Sequence, residues 1–177
     1  MLCTSAWTAA RLVQGPLKAD LARVESLPLV SITAFFKPGR DLRGFGCLFP
    51  ARENFHALGV LFNDCIFEGR SRERSETWIF GGAGHPDICQ LSDAQLIERI
   101  VSDRHRLNGR EEYPLASHIT RWPRALPHYT VEWEKTLRTL NVERPLFLHG
   151  NYLGALGLGA ILARSKALAQ EIKELYA

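Results

Sequence analysis

Four glycines within ten residues constrain this chain more than any other feature. The segment Phe147-Leu148-His149-Gly150-Asn151-Tyr152-Leu153-Gly154-Ala155-Leu156-Gly157-Leu158-Gly159 passes from an apolar run through a glycine cluster into a tail rich in Ala, Leu, Lys and Glu. That order predicts a buried strand over 145–149, a turn, and a final helix that starts after the glycines of 154–159 and runs to the end of the chain. Glycine lets backbone N–H groups come close to a ligand, and a helix start adds unsatisfied donors and partial positive charge. Such a turn can hold a phosphate, or the edge of a ring on which negative charge collects. It can equally be a tight strand-to-helix connection in which glycine only permits packing, and spacing alone leaves both readings open. The glycine order is not that of the GxGxxG dinucleotide fingerprint, and no second strand with an acidic residue follows.

The hydrophobic pattern upstream switches repeatedly between strand and helix periods. Residues 6–13 read as a short helix stopped by Gly15-Pro16, and 17–24 as a second helical piece. Strands are expected over 29–36, 44–49, 57–63 and 77–80, with a hairpin through the polar link 50–54 and a stop at Gly81-Gly82. The clearest helix is 93–107. Ser92 and Gln95 have the spacing of a capping box, Leu91 and Leu96 that of a hydrophobic staple, and Leu96, Ile97, Ile100 and Val101 share one face. A strand over 114–120 and a helix over 131–140 complete the reading. The fold class is α+β: a mixed, mainly antiparallel sheet flanked by helices, with the strand–glycine turn–helix at the C-terminal end. No internal repeat and no Pro/Gly/Ser-rich linker divides the chain. Residues 1–6 read like the end of a buried strand running into a turn, as though something belonged before them.

Composition narrows the function classes. The formal charge of +3 comes from scattered Lys and Arg. The densest basic stretch, Arg70, Arg72 and Arg74, is interrupted by Glu73 and reads as a solvated loop rather than a nucleic-acid or lipid surface. Cys3, Cys47, Cys65 and Cys89 are widely spaced without a CxxC pair, which argues against zinc and against a disulfide framework and for a reducing compartment. His56, His85, His105, His118, His128 and His149 show no metal-ligand spacing, so no metal is expected. Glu111-Glu112 reads as a solvated pair, and His149, ending a buried strand, as hydrogen-bonded packing. No residue is singled out as a catalytic acid, base or nucleophile.

Three blocks then carry a resemblance. Leu148-His149-Gly150-Asn151-Tyr152-Leu153-Gly154-Ala155-Leu156-Gly157-Leu158 resembles the C-terminal flavin motif of the protoporphyrinogen oxidases, within the flavin amine oxidase superfamily. Thr120-Arg121-Trp122-Pro123-Arg124-Ala125-Leu126-Pro127-His128-Tyr129-Thr130 is similar to the family's Trp-Pro…Ile-Pro-Gln-Tyr segment. Gly44-Phe45-Gly46-Cys47-Leu48-Phe49-Pro50, followed by Leu58-Gly59-Val60-Leu61-Phe62, is similar to its Gly-Phe-Gly…Pro and Leu-Gly-hydrophobic strands. The blocks stand in family order and cover nearly the whole chain. Two departures are plain: Ala160-Ile161 where relatives carry Asp-Cys, and His128 where they carry Gln.

The resemblance implies FAD as cofactor, contacted by Asn151, Leu156, Gly157 and Leu158. It also implies a porphyrinogen substrate faced by Phe45, Leu48 and Ile79. Trp122 and Tyr129 stand between core and flavin-adjacent roles. The implied reaction is oxygen-dependent conversion of protoporphyrinogen IX to protoporphyrin IX in haem biosynthesis, with the flavin doing the redox work. By the same resemblance, 1–15 closes a segment of the FAD domain, 16–140 is the substrate-binding portion, and 141–177 is the FAD-contacting strand, turn and helix. The nucleotide-binding Rossmann half is absent from the sequence, so the chain reads as the C-terminal part of such an enzyme and as inactive by itself. A cytoplasmic location is expected, with peripheral attachment at the inner face of a membrane and self-association both left open. Two alternatives stay open: a non-catalytic ligand- or partner-binding module derived from such an enzyme, and a coproporphyrinogen-type or other flavin amine oxidase.

Overall fold

The computed structural model describes residues 1–39, 42–69, 71–154 and 156–176. Of the residues read above, Arg70 of the basic stretch and Ala155 of the glycine turn lie outside them. The chain forms two compact units, one made of 1–26 with 126–177, the other of 27–125. The crossings fall within regular strands, β1 (Ser26–Phe36) and β5 (Ala116–Pro127). No linker composition marks them for that reason, and they differ from the positions 15/16 and 140/141 at which the sequence reading divides the chain.

The unit of 27–125 is a five-stranded sheet with a helix on one face. β2 (Gly46–Leu48), β3 (Gly59–Phe62), β4 (Arg74–Gly81), β1 and β5 lie side by side in that order, and the pairs β2–β3, β3–β4 and β4–β1 are antiparallel. Residues directly opposite each other share a face. The rows Val60–Trp78–Ile32 and Phe62–Glu76–Ala34 therefore point the same way, and all six side chains are buried. Leu96 and Ile100 of α4 (Asp93–Asn108) close over them, so this face carries the core. The capping box opens α4 as its sequence predicts: Gln95 N–H donates to Ser92 Oγ at 3.2 Å and Ser92 N–H to Gln95 Oε1 at 2.9 Å. Gly109, at φ +76°, ends it.

Buried charged side chains run through this core. Arg104 and Glu76 are fully buried, with Arg104 Nε donating to both Glu76 oxygens at 3.2 Å and Trp78 Nε1–H donating to Glu76 Oε2 at 3.0 Å. Glu112 is no free-standing solvated carboxylate: its Oε2 accepts from Arg104 Nη1 at 2.6 Å. Asp103, also fully buried, accepts from His56 N–H, His56 Nδ1 and Ala57 N–H at 2.8–3.1 Å and ties α4 to the start of β3. The basic stretch departs from the solvated-loop reading at its end. Arg74 is 3% exposed, opens β4, and lies 3.7 Å from Asp64. Arg-Ser-Glu looks like a loop in sequence, yet β4 starts there because both charges find partners, Arg74 the half-buried Asp64 and Glu76 the buried Arg104.

The second unit packs α1 (Ala6–Leu12), α2 (Gly15–Ala22) and α5 (Val131–Thr139) around Ala9, Leu21, Trp133 and Tyr152, while α6 (Leu158–Tyr176) contributes no buried residue to that core and is tied to the unit through Ser165 and His149. Thr130 caps α5 by accepting from Trp133 N–H at 3.1 Å. The strand expected over 145–149 reduces to a single parallel bridge between Leu148 and Leu2; no other strand among the described residues is paired to it. β5 runs through Trp122-Pro123 to Pro127 instead of stopping at Thr120. Its place at the sheet's edge tolerates proline, which has no N–H to donate. Among the described residues no helix is long and apolar enough to cross a membrane, and no three His, Cys, Asp or Glu gather as a metal cluster.

Candidate functional site

In the unit of 1–26 and 126–177 the glycine turn divides into a locked half and an open half. Leu2 N–H donates to Phe147 O at 2.7 Å and His149 N–H to Leu2 O at 2.9 Å, which anchors the entry. His149 Nε2 then meets Ser165 Oγ at 3.0 Å, and that hydroxyl donates to Ile161 O. The histidine is therefore the donor to the serine, a packing role as its sequence position suggests. Gly150 has no room for a side chain, because a Cβ would lie 2.5 Å from Tyr152 Cε1 and 3.1 Å from Thr4 O. Gly154 has φ +101°, a conformation that L side chains rarely adopt. Between them Tyr129 acts as a clamp. Its hydroxyl donates to Asn151 O at 2.5 Å and accepts from Gly154 N–H at 2.7 Å. Tyr129 thus holds the turn, through contacts that span more than twenty residues and leave no local signal in the sequence.

The open half is Leu156 to Gly159. A Cβ added at Gly157 or Gly159 would meet nothing within 4 Å. Leu156 and Leu158 are 46% and 83% exposed. α6 begins here with no acidic residue in its first turn, so its unsatisfied N–H groups and partial positive charge are uncancelled. Of the expected flavin contacts, Asn151 sits in the locked half with its carbonyl held by Tyr129, while Leu156, Gly157 and Leu158 line the open half. Tyr152 between them is 1% exposed with its Oη unpartnered, and burial pushes its pKa up to about 12, helped by Cys3 and opposed by Arg164. An open, electropositive helix start behind a rigid turn fits one edge of a flavin ring. No strand–glycine turn–helix for a pyrophosphate is found among the described residues.

The expected substrate residues lie in the other unit, Leu48 and Ile79 on the sheet face opposite α4. Leu48, Gly59, Ile79 and Ser31 form one row, and Leu61, Thr77 and Thr33 the next. Gly59 leaves room for Leu48, whose Cδ2 lies 3.1 Å from where a Cβ of Gly59 would stand. Leu48 is 88% exposed and Ile79 half-buried, so this face is open and apolar toward β2 and β3. Phe45 precedes β2 and is 70% exposed, outside these rows. Trp122, on β5, is half exposed, and sequence reasoning did not find Leu61, whose signal was its alternation with Val60 and Phe62. His128 faces Glu25, Nδ1 to Oε2 at 3.3 Å.

No family model matches the chain. It is 32% identical over 155 residues to protoporphyrinogen oxidase 2, chloroplastic/mitochondrial, of Arabidopsis thaliana, a match covering 81% of this chain and 30% of that protein. It is 28% identical over 142 residues to the chloroplastic protoporphyrinogen oxidase of Nicotiana tabacum, covering 75% of this chain and 26% of that protein. The chain thus spans under a third of the length of these curated relatives. Its fold superposes with TM-score 0.79 on a crystal structure assigned as a protoporphyrinogen oxidase from Exiguobacterium sp. 255-15, at 19% identity over 97% of this chain and 40% of the other. It superposes with TM-score 0.54 on reduced UDP-galactopyranose mutase, at 13% identity over 77% of this chain and 31% of the other. Across most of its length, then, this chain is a relative of the protoporphyrinogen oxidases and corresponds to a portion of them.

Proposed function

We propose that this chain is the C-terminal part of an FAD-dependent, oxygen-using protoporphyrinogen oxidase that converts protoporphyrinogen IX to protoporphyrin IX in haem biosynthesis. The observation that carries the reading is the half-open glycine turn: a rigid segment held by Tyr129, followed by an unobstructed helix start with no acidic residue in its first turn, at the residues the family resemblance assigns to the flavin. Residues 1–15 and 141–177 belong to the flavin-binding part in this reading, and 16–140 to the substrate-binding part. The nucleotide end of FAD is held by sequence outside this chain.

In the proposed reaction FAD, when bound, supplies the two-electron acceptor, used three times per porphyrin and returned by oxygen with release of hydrogen peroxide. The chain's own residues position and shield. Tyr129 keeps the carbonyl of Asn151 and the N–H of Gly154 turned inward, so the turn does not close over the space at Gly157. Backbone donors at 156–159 favour negative charge at that edge. Leu48, Leu61 and Ile79 give a planar tetrapyrrole an apolar bed that excludes water, with Phe45 beside it. The absence of an assigned acid or base fits a reaction in which position matters more than proton transfer by a side chain. The reading puts the enzyme in the cytoplasm. The exposed Leu158, Leu162, Leu175 and Tyr176 of α6 support burial against another surface, self-association included.

The test is to measure flavin absorbance and oxidation of protoporphyrinogen and coproporphyrinogen by the chain alone, then with a nucleotide-binding half of a protoporphyrinogen oxidase supplied in trans. The chain alone should be colourless and inert, and the mixture yellow and active. Tight FAD binding or turnover by the isolated chain sinks the reading.

A further inference from the structure

The open sheet face does not end in apolar residues. Beyond Leu61 and Ile79 it runs into a cavity of about 400 Å³, lined by Thr33, Asn63, Ser75 and Thr77 between the rings of Phe35 and Phe67. Asn63 follows β3 directly and reaches back over β4, its Nδ2 donating to Thr77 Oγ1 at 2.8 Å and to Ser75 Oγ at 3.2 Å, while Thr33 and Thr77 share a hydrogen bond at 3.4 Å. One amide and three hydroxyls carry five hydrogens between them, and these three contacts spend three. Two remain, and the count is the same whichever way the amide of Asn63 is turned. The cluster thus keeps two hydrogens to donate to a ligand, beside oxygen lone pairs that can accept. Asp64 lines the same cavity, but its Oδ1 accepts from Ser75 N–H at 3.2 Å and its Oδ2 faces the buried Arg74 at 3.7 Å. Arg74, whose Nη2 donates to Leu42 O at 2.8 Å, thus offsets the charge of Asp64 beside the cavity.

We infer that the cluster of Thr33, Asn63, Ser75 and Thr77 is a carboxylate-recognition subsite, binding an acidic side chain at the rim of a planar ligand laid on Leu48, Leu61 and Ile79. This rests on the porphyrinogen reading of the face, and it sets the ligand's orientation: acidic edge toward β1 and α3 (Asn63–Ile66), apolar body over β2 and β3. Two donors side by side match a carboxylate's two oxygens, and hydrogen bonds to an ionised acceptor are the strong kind.

The subsite is tested on the full chain by fluorescence titration with protoporphyrin IX and with its dimethyl ester, each dispersed in a non-ionic detergent. The acid should bind about 10- to 100-fold tighter than the ester. Asn63→Asp keeps the shape but draws the Thr77 and Ser75 hydroxyl hydrogens onto the new carboxylate, leaves Thr33 to donate to Thr77, and adds a like charge. It should weaken the acid at least about tenfold and leave the ester unchanged. Circular dichroism of the variant checks the fold, and the acid–ester comparison on the unsubstituted chain needs no variant. Equal binding of acid and ester by the chain, or an acid preference that survives Asn63→Asp, overturns the subsite while leaving the apolar bed standing. Failure of the folded chain to bind either compound overturns the porphyrinogen reading and the subsite together.

Discussion

Replacing Arg104 by Met tests whether a buried ion pair organises the sheet that carries the proposed substrate face. The substitution fills most of the space but removes two contacts at 3.2 Å to Glu76, one at 2.6 Å to Glu112, and a guanidinium stacked 3.8 Å from the centre of the Phe36 ring. It leaves Glu76 fully buried with only Trp78 Nε1–H as partner, and removing one member of a buried pair costs about 3–5 kcal/mol. A pH signature goes with it. Burial raises the Glu76 carboxyl above its usual 4.5, opposed chiefly by Arg104, then by Trp78. The folded state thus holds this proton more tightly than the unfolded chain. The group's contribution to stability is full below pH 4.5 and is lost as pH rises through the folded value. Without Arg104 the carboxyl rises further, so the loss at neutral pH grows and acidification relieves it. Urea unfolding followed by tryptophan fluorescence should therefore show a gap between the two proteins that is largest at neutral pH and narrows toward pH 4.5. A gap under about 1 kcal/mol, or one that does not change with pH, refutes the reasoning.

Tyr129→Phe removes both bonds of the clamp and should cost about 2 kcal/mol, with faster amide exchange at Gly154 as the local readout; unchanged exchange there would mean the hydroxyl does not hold the turn. Gly157→Val faces open space in the chain, so its unfolding midpoint should stay within about 0.5 kcal/mol of the parent, while the complete enzyme purifies without flavin. A yellow variant with full FAD content would remove Gly157 from the cofactor site. Asp103→Asn weakens three accepted hydrogen bonds at a fully buried site and should cost about 2 kcal/mol, measured by the same urea titration; a neutral result would assign the anchoring of α4 to its apolar face alone.

Much of the architecture was legible because it rests on local signals. Ser92-x-x-Gln95 names a helix start without reference to anything distant, and the alternation through 29–36 names a strand. What stayed hidden depends on partners far along the chain. Arg74 and Glu76 become strand residues only because Asp64 and Arg104 meet them. Residues 145–149 are strand-like in composition, yet a strand needs a neighbour and Leu148 has only Leu2. At the candidate site, the glycines were visible, but not their division of labour: Gly150 and Gly154 serve the turn's own packing, and Gly157 and Gly159 leave space. The polar cluster was missed for a similar reason. Thr33, Asn63, Ser75 and Thr77 are unremarkable singly and become a set of donors only through the register of β1 against β4.

The bridge between Leu2 and Leu148 bears on the order in which the chain can fold. The sheet unit is contiguous in sequence, 27–125, whereas the unit holding the glycine turn is built from both ends of the chain. On a ribosome the sheet unit is complete before Leu148 has been made. Closing the bridge across an unfolded intervening chain would carry the full entropic cost of a long loop, which grows with the logarithm of its length. A folded sheet unit already ties much of that loop into one body. Non-local pairings are the slow step where such loops must close. Formation of the glycine turn should therefore lag the sheet during synthesis, and pulse-labelled amide exchange on stalled chains would show protection in α4 before protection at His149.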